Sequence, residues 1–262
     1  MLKPRLIFTL LYDRGSFMLS RNFRLQKVGD LNWLQTNYVF SNISLSIDEL
    51  IILDVSRENR NSETFCEQLK ILSQDCFIPI AAGGGVQTLE HASRLLRSGA
   101  DKIVINSSLY TENDFVNSLA RQFGQQCIVA SVDVKQHKQG GYHIWADNGR
   151  NCLSNPASYW LKHISKLPLG EIYLNSMDRD GTGQGYDLKL LDLLPYSLLT
   201  PIILAGGAGN SRHLAEGLSD PRVDAVATAH LFNFIGDGLF QARNKLIAAG
   251  IELPVWTQWN NS

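Results

Sequence analysis

Asp133 closes the apolar run CIVASVD at 127–133, and a carboxylate in that position has the chemistry of a general acid or base. Partial burial at a strand end raises a carboxyl pKa toward neutrality, where the group can both take and give a proton. The same residue could instead cap a following helix. Gly83-Gly84-Gly85 and Gly206-Gly207 end two other apolar runs. Glycine there lets the backbone approach a ligand, and the next helix N-terminus offers free N–H groups and a dipole suited to an anion. Tight strand-to-helix turns also favour glycine, so each cluster has a second reading as a turn. Asn106-Ser107 and Ala229-His230, after two further runs, would complete two phosphate sites, and hence suit a ligand phosphorylated at both ends. Asp180-Gly181 lies in SMDRDGTGQGYD (176–187), a polar loop that either meets the ligand or is a solvated turn.

The elements that must position these residues follow from hydrophobic patterning. Short apolar runs near 5–11, 49–53, 77–82, 102–106, 126–132, 171–175, 201–205 and 223–228 alternate with segments of helical period such as 88–100 and 158–167. This pattern reads as βα units and a parallel sheet covered by helices. IPIAAGGG (78–85) is echoed by TPIILAGG (200–207), and Glu49/Glu171, Pro79/Pro201, Gly84/Gly206, Gly85/Gly207 and His91/His213 all lie 122 apart (201 − 79). Two four-strand halves, about 1–122 and 123–262, are therefore expected to close into a single (βα)8 TIM barrel; an open doubly wound sheet is the alternative. The same offset pairs Asp133 with Leu11. Residues 14–30 read as a lengthened loop, and Gly140-Gly141 within 135–150 as the turn of a small hairpin.

Composition narrows the partners. With 24 Lys+Arg against 25 Asp+Glu, no bulk field attracts nucleic acid or an anionic membrane. No apolar run is long enough for a signal-peptide core or a membrane span. Cys66, Cys76, Cys127 and Cys152 lack metal-ligand spacing, so thiols in a reducing cytoplasm are expected, with no metal or cofactor.

Five stretches carry a family resemblance: AGGGV (82–86), SGADKIVINSS (98–108), FGQQCIVASVDVK (123–135), GEIYLNSMDRDGTGQGYD (170–187) and LAGGAG (204–209). Over nearly its whole length the chain resembles the HisF family, the cyclase subunit of imidazole glycerol phosphate synthase. The resemblance implies a ligand with two phosphates, a glutaminase docked at the barrel bottom to supply ammonia, and two catalytic aspartates at the top. It places the second aspartate on Asp133, the first on Leu11, a first-loop lysine on Leu19, and a phosphate-site serine on His230. Leucine cannot move a proton, and losing one member of an acid–base pair removes on the order of 10²–10⁴ in rate. Asp13 could substitute only with a shifted backbone.

Arg5, Glu49, Lys102 and Glu171 open four strands, and two charges of each sign in one layer read as a compensated ring. On charge alone it is a plug; the resemblance implies a gate on the ammonia path, and puts Asp101 and Gln126 on the glutaminase-facing side. First-strand leucines also make the chain similar to the WbuZ-type barrels of sugar-amidation clusters. Those imply a HisH-like glutaminase partner and a separate sugar amidotransferase in surface-polysaccharide synthesis. A cyclase of histidine biosynthesis, or an assembly subunit with neither activity, is the alternative.

Overall fold

Along Arg5–Asp13 the side chains alternate between two buried environments. Leu6, Phe8 and Leu10 pack outward under helices, while Ile7 joins a separate inner cluster with Ile51, Ala81, Val104 and Val129. A strand buried on both faces is what a covered parallel sheet requires. The structure, a computed structural model, describes residues 3–254 apart from 39 and 112, with the backbone alone at 41, 42 and 113. The strands among these residues are β1 (Arg5–Asp13), β2 (Ser16–Arg21), β3 (Arg24–Gly29), β4 (Glu49–Asp54), β5 (Ile80–Gly83), β6 (Lys102–Ile105), β7 (Ile128–Gln136), β8 (Tyr142–Ala146), β9 (Asn151–Pro156), β10 (Glu171–Ser176), β11 (Ile202–Ala205) and β12 (Ala225–Thr228).

Eight of them run parallel in the order β1-β4-β5-β6-β7-β10-β11-β12, and β12 pairs back with β1. The sheet is closed. The architecture is a (βα)8 TIM barrel, with its main core between the strands and the outer helices. The third barrel strand begins at Ile80 rather than at the expected 77, because Phe77 is exposed and Pro79 has no N–H for a ladder. The helical segments expected at 88–100 and 158–167 are shorter, Leu89–Arg97 and Ala157–Ile164. After β10 a 3-10 turn, Leu188–Leu193, stands where an α-helix would be.

The sequence repeat has counterparts in the local hydrogen bonds. Thr88 caps the helix after β5 by accepting from His91 N (3.1 Å), and Asn210 caps the helix after β11 by accepting from His213 N (3.1 Å). Each cap satisfies one otherwise free donor of the first turn.

The segment 14–30 is not a plain loop. It forms a hairpin in which β2 pairs antiparallel with β1 and β3 pairs antiparallel with β2, with Asn22 and Phe23 at φ of +51° and +62° in the turn. The expected hairpin around Gly140-Gly141 joins β7 to β8, and a second one joins β8 to β9 through Asp147 and Asn148, both at φ +52°. Paired positive φ values fit a hairpin turn matching the twist of its strands. The two turns cross over the barrel mouth. Asn22 reaches the loop after β10, with its N–H on Asp180 O (2.9 Å) and its amide on Asp178 O (2.9 Å). Asn148 reaches the loop after β4, donating to Val55 O (3.3 Å), while Asp147 N donates to Ser107 Oγ (3.1 Å).

Candidate functional site

At the strand starts, Arg5 donates to Glu49 (2.8 Å) and to Glu171, and Lys102 donates to Glu49 (2.8 Å) and Glu171 (2.7 Å). Cations and anions alternate around a closed four-membered ring, as their charges alone suggested. Burial pushes both carboxyls up; Arg5 and Lys102 together hold Glu171 below its ordinary range, whereas Glu49 stays above it. Glu49 is the deeper group, and its Oε1 has no hydrogen-bond partner. Above the ring the axis is lined by Ile7, Ile51, Ala81, Ile203, Ala225 and Ala227, and then by Tyr173, whose hydroxyl lies 3.3 Å from Thr9 Oγ1. Asp101 and Gln126 are both exposed, and Asp101 Oδ2 accepts from Ile80 N (2.8 Å). Leu199 (95% exposed) and Phe77 (79%) each lie three residues before a barrel strand, so large apolar side chains also sit at this end.

At the strand ends a cavity opens that Thr9 and Tyr173 floor. Asp133 is buried in its wall. Asn175 donates to its Oδ1 (2.8 Å) and Asn106 to its Oδ2 (3.1 Å). Burial pushes its carboxyl up to about 7, against these two amides that favour ionisation. The group is thus near half-protonated at neutral pH. Leu11 lines the same cavity from β1, four strands away around the barrel, and Leu19 lines it from β2. Asp13 does not line it; β1 continues through Asp13, whose carboxylate pairs with Arg14 (3.1 Å).

The remaining expected residues, Gly84, Gly85, Asn106, Ser107, Asp180, Gly181, Gly206, Gly207, Ala229 and His230, all line this cavity. Several have evident structural work as well. A Cβ on Gly84 would lie 2.4 Å from Asp54 O, and one on Gly206 2.5 Å from Ser176 O, so close strand packing requires glycine at both. Asp180 Oδ2 accepts from Ser20 Oγ and from Phe23 N (2.9 Å), which anchors the β2–β3 turn. Asn106 donates to Ser131 O (2.9 Å) as well as to Asp133, so its amide is turned toward β7. Burial lowers the His230 pKa, leaving the ring neutral at pH 7.

Residues 38–236 match the family model of histidine biosynthesis proteins. The chain is 32% identical over 256 residues to imidazole glycerol phosphate synthase subunit HisF of Streptococcus sanguinis (strain SK36), spanning 97% of this chain and all of that protein. The HisF subunit of Streptococcus gordonii (strain Challis) matches to the same extent, 32% over 256 residues. The chain belongs to the HisF family. It is also 47% identical over 245 residues, 94% of this chain and 91% of the other, to a protein of Parasynechococcus marenigrum (strain WH8102) provisionally named imidazole glycerol phosphate synthase subunit hisF2.

For a HisF-family barrel the mouth holds features that sequence reasoning missed. Arg57 and Arg60, in the loop after β4, line the cavity. The available signal in SRENRN (56–61) was its place at a strand end, where barrel ligands bind. Among the described residues no helix is long and apolar enough to cross a membrane, and no His/Cys/Asp/Glu group could hold a metal ion.

Proposed function

We propose that this HisF-family chain receives ammonia from a HisH-like glutaminase at its strand-start face and passes it along the barrel axis to the mouth. The cyclase step is impaired there, and the nitrogen goes to a separate sugar amidotransferase of surface-polysaccharide synthesis. The closed Arg5–Glu49–Lys102–Glu171 ring carries this reading: two buried carboxylates held by two half-buried cations cost desolvation for a mere floor, and one carboxylate oxygen is left unpaired within it. Above the ring the axis carries no charged side chain in its core cluster, and three of its members, Ala81, Ala225 and Ala227, are small. Exposed Asp101, Gln126, Phe77 and Leu199 suit an interface with an apolar centre and polar rim. Leu11 supports loss of the first acid, and the likeness to WbuZ-type barrels supports the acceptor.

The test reconstitutes the chain with its glutaminase and acceptor enzyme and compares glutamine-driven with ammonium-driven product. Lys102→Met that remains folded and bound to the glutaminase should lower the ratio, and free ammonium should bypass the defect. An unchanged ratio overturns ammonia passage. The second reading, an imidazole glycerol phosphate cyclase, is favoured by Asp133 in a HisF-family cavity and by the names of the two streptococcal relatives. Turnover of the family's diphosphate substrate with ammonium decides for it.

A further inference from the structure

The two hairpins that overhang the mouth are cationic in a chain that is not. Residues 14–29 hold Arg14, Arg21, Arg24 and Lys27 with no Asp or Glu, and residues 135–151 hold Lys135, Lys138 and Arg150 with Asp147 alone. That is seven Lys and Arg against one acid, where the whole chain has 24 against 25. Two of the seven have partners: Arg14 pairs with Asp13 (3.1 Å), and Lys135 lies over the Trp145 ring (5.3 Å). The other five are exposed, and none forms an ion pair among the described residues. None of the seven lines the cavity, so a ligand inside it leaves them unused.

The two hairpin turns adjoin. Arg57 donates to Phe23 O (2.7 Å) in one and to Asn148 O (3.4 Å) in the other, and a Cβ on Gly149 would lie 2.9 Å from Phe23 Cδ1. Arg21 and Arg24 flank the first turn and Arg150 ends the second, so one collar forms from both hairpins. Its turns are clasped to the loops after β10 and β4, so little backbone freedom remains to be lost when something docks there. Asp147 and Glu58 stand exposed among the cations, and Asp178 accepts from Gln136 N (2.7 Å). A continuous polyanion would meet these acids and would find no exposed aromatic in the two turns to stack on, because Phe23 packs against Gly149. A folded surface can set single carboxylates against single guanidiniums and avoid the acids between them.

We propose that the collar of Arg21, Arg24 and Arg150 docks an acidic surface patch of the enzyme that takes up the nitrogen, and so seats that enzyme over the mouth. This rests on the acceptor of the proposed function, but not on the route by which ammonia arrives. The test measures binding of the full chain, in complex with its glutaminase, to immobilised acceptor enzyme. Arg21→Glu with Arg24→Glu should weaken binding about tenfold, chiefly through the association rate, and the loss should shrink at high salt. Arg150→Glu, on the other hairpin, should weaken it several-fold. Lys70→Glu, exposed on the helix Ser62–Asp75, should leave it unchanged. All these side chains are exposed and unpaired, so each variant should keep the parent melting temperature and its glutaminase affinity. Unchanged acceptor binding in both collar variants overturns the proposal, as does an acceptor that does not bind the unaltered chain. An equal loss in Lys70→Glu overturns it in favour of bulk charge, and duplex DNA bound as tightly as the acceptor overturns it in favour of a polyanion. If collar variants bind normally while Lys102→Met still lowers the glutamine-to-ammonium ratio, only the collar falls. If binding depends on the collar but that ratio does not respond, only ammonia passage falls.

Discussion

The floor of this barrel and its mouth are built from the same eight strands but treat their polar residues differently. At the floor, charges from β1, β4, β6 and β10 meet in one alternating ring to which both halves contribute. At the mouth the halves diverge, and they diverge in pairs. Asp133 and Asn175 are register partners across β7 and β10, hydrogen-bonded at 2.8 Å; 122 residues earlier, Leu11 and Leu53 are register partners across β1 and β4. An acid and its donor on one side correspond to two leucines on the other. No half of the pair is left behind, so neither wall carries an orphaned buried group, which would cost roughly 1–3 kcal/mol. The mouth can thus change chemistry in whole pairs while the floor stays intact.

The strongest way to break this comparison is a rate. With the family's diphosphate substrate and excess ammonium, the chain should form imidazole product on the order of 10²–10⁴ more slowly than an ordinary cyclase subunit. Turnover within about tenfold would show that another group supplies the missing acid.

Stability tests the floor next. Lys102→Met leaves Glu49 and Glu171 without one of their two cations and should cost roughly 3–5 kcal/mol in denaturant melts. A neutral outcome would mean the ring is not buried in the assembled protein. Leu11→Asp should cost about 2 kcal/mol, since Leu53 offers the new carboxylate no donor. Leu11→Asp with Leu53→Asn should recover about half of it; additive losses in the double-mutant cycle would refute pairwise exchange.

The pH dependence of Asp133 gives a smaller effect. Its folded pKa of about 7 exceeds the ordinary carboxylate value, so the native state holds the proton more tightly than the unfolded chain. Stability contributed by this group is therefore present at low pH and declines as pH rises from about 4 to 7. Asp133→Asn should flatten melting temperature against pH across that window, and an unchanged slope would place the titration elsewhere. Smallest of all is Asp101→Asn, which keeps an acceptor for Ile80 N but removes the exposed charge. It should weaken glutaminase binding only a few-fold, chiefly through association rate; no change at all would move the interface off this residue.

Barrel strands and the internal repeat were legible because buried strands leave continuous apolar runs and an offset of 122 recurs at glycines, prolines and histidines. The β2–β3 hairpin was not. Its turn, Asn22-Phe23, puts a bulky aromatic at positive φ, and no Asn-Gly or Asp-Gly marks it. That conformation is held from outside, by Asp180 accepting from Phe23 N, a bond no local pattern reveals. For the same reason Asp180 read as a ligand residue, although one of its oxygens anchors this turn. Arg57 and Arg60 were missed because a guanidinium in a polar loop looks solvated until the fold shows which cavity the loop borders.

The crossed turns have a kinetic consequence. Asn22 is held by the loop after β10, and Asn148 by the loop after β4, while Arg57 ties Phe23 and Asn148 together. Lifting either turn strains bonds that the opposite half supplies, so neither can swing aside on its own. Opening of the mouth is then a coupled event, and its frequency is set by the two clasps together rather than by either hairpin alone.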